Sequence, residues 1–136
     1  SFIDLARHHF EHEAWDTAQV VSQIGSRHME VIERWGEMLR SNRYVRRSWL
    51  GEDMLSRGTW SEPIIVLAPE PGACYPDGQP LPQPYCLLEG HHRLGYLRSM
   101  ATDELPLQPE HQVWICRPVR DTQTFLPANP ASEINF

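Results

Sequence analysis

Lysine is missing from the chain: all twelve positive side chains are arginine, against eighteen carboxylates, for a formal net charge of -6 over 136 residues. A Walker-type phosphate lysine, a Schiff-base lysine and a kinase strand lysine are therefore excluded, and phosphate chemistry must run through arginine, histidine or backbone amides. The acidic balance argues against a nucleic-acid binder that uses its whole surface, because phosphate contacts need concentrated positive charge. A local patch stays open. Cysteine is scarce: Cys74, Cys86 and Cys116 are odd in number, widely spaced and form no C-x-x-C pair. They support neither a disulfide framework nor a zinc knuckle and are expected as three buried thiols. Long apolar runs are absent too, none approaching the roughly 20 residues of a membrane span, and no charged-then-apolar leader is seen. The expectation is a cytoplasmic protein with no membrane partner. The sequence opens at Ser1 without an initiator Met, which fits a piece of something longer.

Proline is absent from the first 62 residues, and all twelve prolines follow from Pro63 onward. Helices are expected first, then strands and loops, within one α/β (α+β) domain over 1–136. At 40% apolar and 22% charged residues the chain has enough to bury a core. From Asp16, the residues Val21, Ile24, His28, Val31, Trp35 and Met38 recur at helical spacing, with Asp16 and Gln19 as a capping box. Gly25 and Gly36 weaken one continuous helix, so a break near Gly25 is an option. A second helix begins near Ser48 and stops at Gly58. Pro63 to Leu67 reads as a buried strand, Tyr85 to Leu88 and Gln112 to Arg117 as two more. Between them, Pro69 to Pro84 carries six prolines and reads as an insertion or a lid. A helical part over 1–47 thus precedes a core over 48–117, with a peripheral tail over 118–136.

The segment Leu87-Leu88-Glu89-Gly90-His91-His92-Arg93 runs from an apolar strand through one glycine into a helix whose Leu94, Leu97 and Ala101 share a face. A helix start presents unpaired amides and the positive end of the macrodipole, which suits an anion, phosphate above all. Gly90 permits close backbone approach, Arg93 offers a bidentate fork, and His91 and His92 donate hydrogen bonds or move protons near neutral pH. Glu89 is placed to orient a histidine, hold a ribose hydroxyl or help hold a divalent ion. The plainer alternative is a helix cap with solvated histidines.

This strand, Gly-x-x-Arg turn and helix resemble the ParB/sulfiredoxin-like superfamily, and the likeness extends from Ser48 to Arg117, taking in the Pro-Ile-Ile-Val strand and the late strand near Trp114. The resemblance implies a ParB/sulfiredoxin-like fold, with a small mixed sheet, packed helices and a helical N-terminal extension. The Glu-Gly-His-His-Arg form is most similar to the turn of the ParB-like free serine kinases, where it binds nucleotide phosphates. Carried over, Gly90, His91, His92 and Arg93 bind the cofactor, a nucleotide such as ATP or ADP with Mg2+ as an option, and Glu89, His91 and His92 are the catalytic candidates. The implied activity is a small-molecule phosphotransferase or a nucleotide hydrolase. Sulfiredoxins have a cysteine where His91 stands, and true ParB clamps have a Gly-Glu-Arg-Arg-type turn followed by a helix-turn-helix domain, so neither of those activities is expected. A kinase also needs a carboxylate to take the substrate proton; Glu30, Glu33, Glu37, Glu52 and Glu62 are the upstream candidates, and no motif chooses among them. The competing class is a non-catalytic module that binds nucleic acid or protein.

Weaker signals remain. His8, His9 and His12 place two histidines one helical turn apart, which can bind a metal but lacks a third ligand; a solvated terminal helix is expected and no metal site is assigned. Arg40, Arg43, Arg46 and Arg47, interleaved with Tyr44 and Trp49, suit nucleic acid, the outer phosphates of a nucleotide or a plain exposed surface. Trp15, Trp35, Trp49, Trp60 and Trp114 are expected mostly in the core. Tyr75 and Tyr85 flank the insertion and are placed to close over a base.

Overall fold

A computed structural model describes residues 4–119, so the tail from residue 120 lies outside the described residues. The elements in chain order are β1 (His8–Asp16), α1 (Thr17–Gln23), β2 (Ile24–Gly25), α2 (Met29–Ser41), α3 (Arg43–Arg46), α4 (Trp49–Arg57), β3 (Ile64–Leu67), β4 (Tyr85–Glu89), α5 (His91–Thr102) and β5 (Glu110–Pro118). The strands make one mixed sheet in the order β1-β5-β3-β4-β2. β1–β5 and β3–β4 are antiparallel, whereas β3–β5 and β2–β4 are parallel. The fold is thus a mixed α+β architecture, a five-stranded sheet with packed helices.

Local chemistry sets most element ends. The Asp16 carboxylate accepts from the Gln19 amide at 2.7 Å and starts α1. Ser48 Oγ accepts from the Gly51 amide at 3.1 Å and starts α4, which Gly58 ends at φ 76°. The expected break at Gly25 occurs: a Cβ there would lie 2.6 Å from the Pro82 side chain, so the chain can pair with β4 only because the residue is glycine. The helix then restarts at Met29.

The stripe expected on this helix needs correcting. Val31 is exposed and Trp35 and Met38 are half-buried, whereas Ile32, Gly36 and Leu39 are buried. The buried face is centred on a glycine, which contributes no hydrophobic signal. A Cβ on Gly36 would lie 2.5 Å from the Gly95 carbonyl oxygen, and a Cβ on Gly95 2.3 Å from that of Ile32. The α2 and α5 backbones therefore touch. Because His28 meets His91, Gly36 meets Gly95 and Ser99, and Arg40 meets Asp103, the two helices run parallel with their N-termini together.

His8, His9 and His12 do not sit on a terminal helix; they belong to β1, paired from His8 with Pro118 to Asp16 with Glu110. The partner strand is about a hundred residues away, beyond any local pattern, and in a strand His8 and His12 stand ~13 Å apart, which ends their use as adjacent ligands. The sheet curls enough for Trp15 of β1 to reach Tyr85 of β4, with ring centroids 4.6 Å apart.

Two apolar clusters flank the sheet. The larger includes Trp15, Ile32, Met54, Ile64, Leu94 and Ile115. The smaller, Leu67, Tyr75, Leu81, Cys86 and Cys116, is roofed by the proline-rich insertion. That insertion is a packed cap rather than a lid: Tyr75 is buried, its hydroxyl 3.5 Å from Cys86 Sγ, and Tyr85 packs on Trp15, so neither tyrosine overhangs Gly90. Cys74 is exposed, so only two of the three thiols are buried. Trp15 and Trp60 are core, but Trp49 is 71% exposed and Trp114 39%.

Candidate functional site

The turn from β4 to α5 is built by steric exclusion. Gly90 has φ 105°, and a Cβ on it would lie 2.6 Å from Ile64 Cγ2, so only glycine lets the strand enter the helix beside β3. Gly90 is the N-cap and supplies no side-chain cap. The Leu94 amide bonds to the Gly90 carbonyl at 2.8 Å, which leaves the amides of His91, His92 and Arg93 without an acceptor inside the helix.

Arg93 is turned inward. Its Nη1 donates to the carbonyl oxygens of Glu62 at 3.0 Å and Pro63 at 2.8 Å, and Nη2 lies 4.0 Å from the Glu89 carboxylate. The guanidinium thus stitches α5 to the entry of β3, and part of the fork assigned to a phosphate is engaged with the chain's own carbonyls. Glu89 is largely exposed, its side chain retaining 67% of its accessibility.

The histidines face a neighbour the sequence did not single out. His28, which precedes α2, approaches His91 with ring centroids 6.0 Å apart. His92 lies edge-on to Trp35 at 4.0 Å. Burial, and then the adjacent His28 and His92, hold the His91 imidazole below its usual pKa; burial and then Arg93 do the same for His92. Both rings are therefore neutral at pH 7, each with one N–H to donate. No local pattern pairs His28 with the turn; the two meet only because α2 and α5 pack in parallel.

Because α2 and α5 are parallel and in contact, the positive ends of two macrodipoles of 13 and 12 residues lie side by side at His28 and His91. Such a corner can receive an oxyanion through amides and imidazole N–H groups together. Among the described residues no group of three or more His, Cys, Asp or Glu is arranged to hold a metal ion, so magnesium at this corner would need nucleotide phosphates among its ligands.

The five upstream carboxylates separate. Glu37 is paired with Arg40, Glu33 lines a groove with Gly95 and Arg98, and Glu52 lines a hollow with Arg43 and Arg47. Glu30 lies in the first turn of α2, and Glu62 gives its carbonyl to Arg93. Elsewhere, β1 and β5 bring Glu11 and Glu13 onto Arg117, at 2.6 and 3.4 Å, beside a hollow of about 640 Å³ that Tyr85 also lines. No sequence spacing marks that cluster, because Glu11 and Glu13 meet Arg117 only through the long-range pairing of β1 with β5. Comparison with known proteins finds no relative: no family model, no curated protein and no solved structure matches the chain.

Proposed function

We propose that the protein binds a nucleotide or another phosphate ligand at the paired N-termini of α2 and α5, in the manner of the ParB/sulfiredoxin-like proteins its Glu-Gly-His-His-Arg turn resembles. The observation that carries the reading is the parallel contact of the two helices, which sets His28 against His91 beside three amides that lack a helical acceptor. In this reading the amides of His91, His92 and Arg93 and the imidazoles of His28 and His91 hold the phosphate, and Arg93 positions the turn through the Glu62 and Pro63 carbonyls. Phosphoryl transfer to a small molecule, or hydrolysis of the nucleotide, would use magnesium brought in with the phosphates. Glu89, just before the turn, or Glu30, in the first turn of α2, would then serve as base.

The test is a thermal-shift panel of ATP, ADP, CTP, GTP and inorganic phosphate, with and without magnesium. A ligand at a hundred times its dissociation constant adds about 2.7 kcal/mol, a rise in Tm on the order of 10 °C for a domain of this size. His28→Ala and His91→Ala should weaken the response while leaving the ligand-free Tm close to the parent's. Affinity should rise as pH falls through the depressed pKa values of His91 and His92, because those rings then become cations facing an anion. Silence across the panel, or full binding by both variants, overturns the proposal.

A further inference from the structure

We propose that α3 and the start of α4 form a binding surface for single-stranded nucleic acid, through the guanidinium groups of Arg43, Arg46 and Arg47 and the rings of Tyr44 and Trp49. The surface is separate from the α2–α5 corner and stands independently of it. Two aromatic rings project into solvent there, Tyr44 73% and Trp49 71% exposed, the largest apolar exposures among the described residues. Rings this exposed contribute little burial to the fold, and a base has a face of matching size and polarity. Arg43, Arg46 and Arg47 line one hollow of about 900 Å³ with Trp49. Arg43 also stacks on Tyr44, its guanidinium carbon 5.1 Å from the ring centroid.

The charge there has not been spent on the fold. Arg40, in the last turn of α2, is held by Glu37 and Asp103. By contrast, Arg43 bonds only the Tyr44 hydroxyl at 3.2 Å and Arg46 the Leu39 carbonyl at 3.2 Å, and among the described residues none of Arg43, Arg46 and Arg47 pairs with a carboxylate. Of the two acidic residues at the rim, Asp53 is neutralised by Arg57 at 3.0 Å and Glu52 is left. Three cations against one free anion make a positive patch on a chain whose net charge is -6, which confines a polyanion to this face.

The surface is also preorganised. The Asn42 side chain accepts from the Tyr44 and Val45 amides at 2.9 and 3.2 Å, and Ser48 Oγ donates to the Val45 carbonyl. A Cβ on Gly51 would lie 2.2 Å from that carbonyl oxygen, so α4 abuts the end of α3 and fixes Trp49 relative to Tyr44. Flat rings beside unpaired arginines select unstacked bases with a phosphate backbone; a duplex hides its base faces, and an acidic peptide has none.

The experiment is fluorescence anisotropy of a labelled 12-nucleotide single strand, as DNA and as RNA, against the matched duplex and a polyglutamate peptide, from 50 to 200 mM salt. Three phosphate contacts give a log–log salt slope of roughly -2 for a single strand. Tyr44→Ala and Trp49→Ala should each weaken binding about tenfold or more, Trp49→Phe should restore most of the affinity, and replacing Arg43, Arg46 and Arg47 by alanine should remove the salt dependence with the binding. The exposed positions leave the fold intact, which circular dichroism verifies for each variant. Absence of binding at 50 mM salt, equal affinity for duplex or polyglutamate, or unchanged affinity in both aromatic variants overturns the proposal.

Discussion

His111 shows how one buried polar side chain carries a measurable consequence. It is fully buried between two hydroxyls, Thr17 Oγ1 at 2.7 Å from Nε2 and Thr59 Oγ1 at 2.6 Å from Nδ1, and so joins α1, β5 and the turn after α4. Burial lowers its pKa, only partly opposed by Asp16. Folding therefore holds the ring neutral, and below the unfolded value of about 6.5 the unfolded chain binds a proton that the folded one does not. Stability from this residue is complete above that pH and falls as the pH drops below it, by up to about 1.4 kcal/mol per unit until the folded pKa is reached. Urea denaturation at pH 7.5 and 5.5 measures the fall, and His111→Gln should flatten it while lowering stability at pH 7.5. An equal pH dependence in that variant would assign the effect to other groups, His91 and His92 first. His111 shares the inward face of β5 with Val113 and Ile115, and its pairing across from Trp15 seals it there.

Among the elements, the α2–α5 pair tests whether packing outweighs propensity. Alanine is favoured over glycine in a helix interior by about 1 kcal/mol, so propensity alone makes Gly95→Ala stabilising. Yet its Cβ would meet the Ile32 carbonyl oxygen at 2.3 Å, where no flexible side chain can yield. Separating two packed helices costs about 1–3 kcal/mol or more, so the expected outcome is net destabilisation, read as a lower urea midpoint, together with weaker phosphate response as His28 moves away from His91. A variant more stable than the parent would show that the helices part freely. The same contact explains what sequence revealed and what it hid. The Ser48 and Gly58 ends of α4, the β3 run and the strand-turn-helix at Gly90 were legible, because each depends on residues within a few positions. The buried face of α2 was misread because its centre is Gly36, and β1 because its pairing strand lies at the far end of the described chain. At the site, His91 and His92 were found from the turn; His28 joins them only through tertiary packing, and Arg93 faces inward because the carbonyls of Glu62 and Pro63 are within reach.

On the scale of the whole molecule, the strand that opens the described chain is zipped to the one that closes it, and the curl of the sheet brings Trp15 onto Tyr85 of β4, three strands from β1 in the sheet order. The α2–α5 corner sits on a scaffold whose parts are thus tied by non-local contacts, which form slowly and are lost together. Trp15 is 1% exposed, and its indole N–H also reaches the Glu13 carboxylate at 2.9 Å. Replacing a buried aromatic residue of this size by alanine costs about 3–5 kcal/mol, a large share of the roughly 5–15 kcal/mol that holds a domain together. Trp15→Ala should therefore lower the unfolding midpoint of the entire domain in one step, with far-UV circular dichroism and the fluorescence of the remaining tryptophans changing at the same denaturant concentration. An early transition confined to part of the signal, followed by a second at the parent's midpoint, would mean that β1 is an appendage that detaches alone. The register with β5 argues for the single step, because removing β1 would uncover the half-buried Arg117 and the His111 side of the core along one whole edge of the sheet.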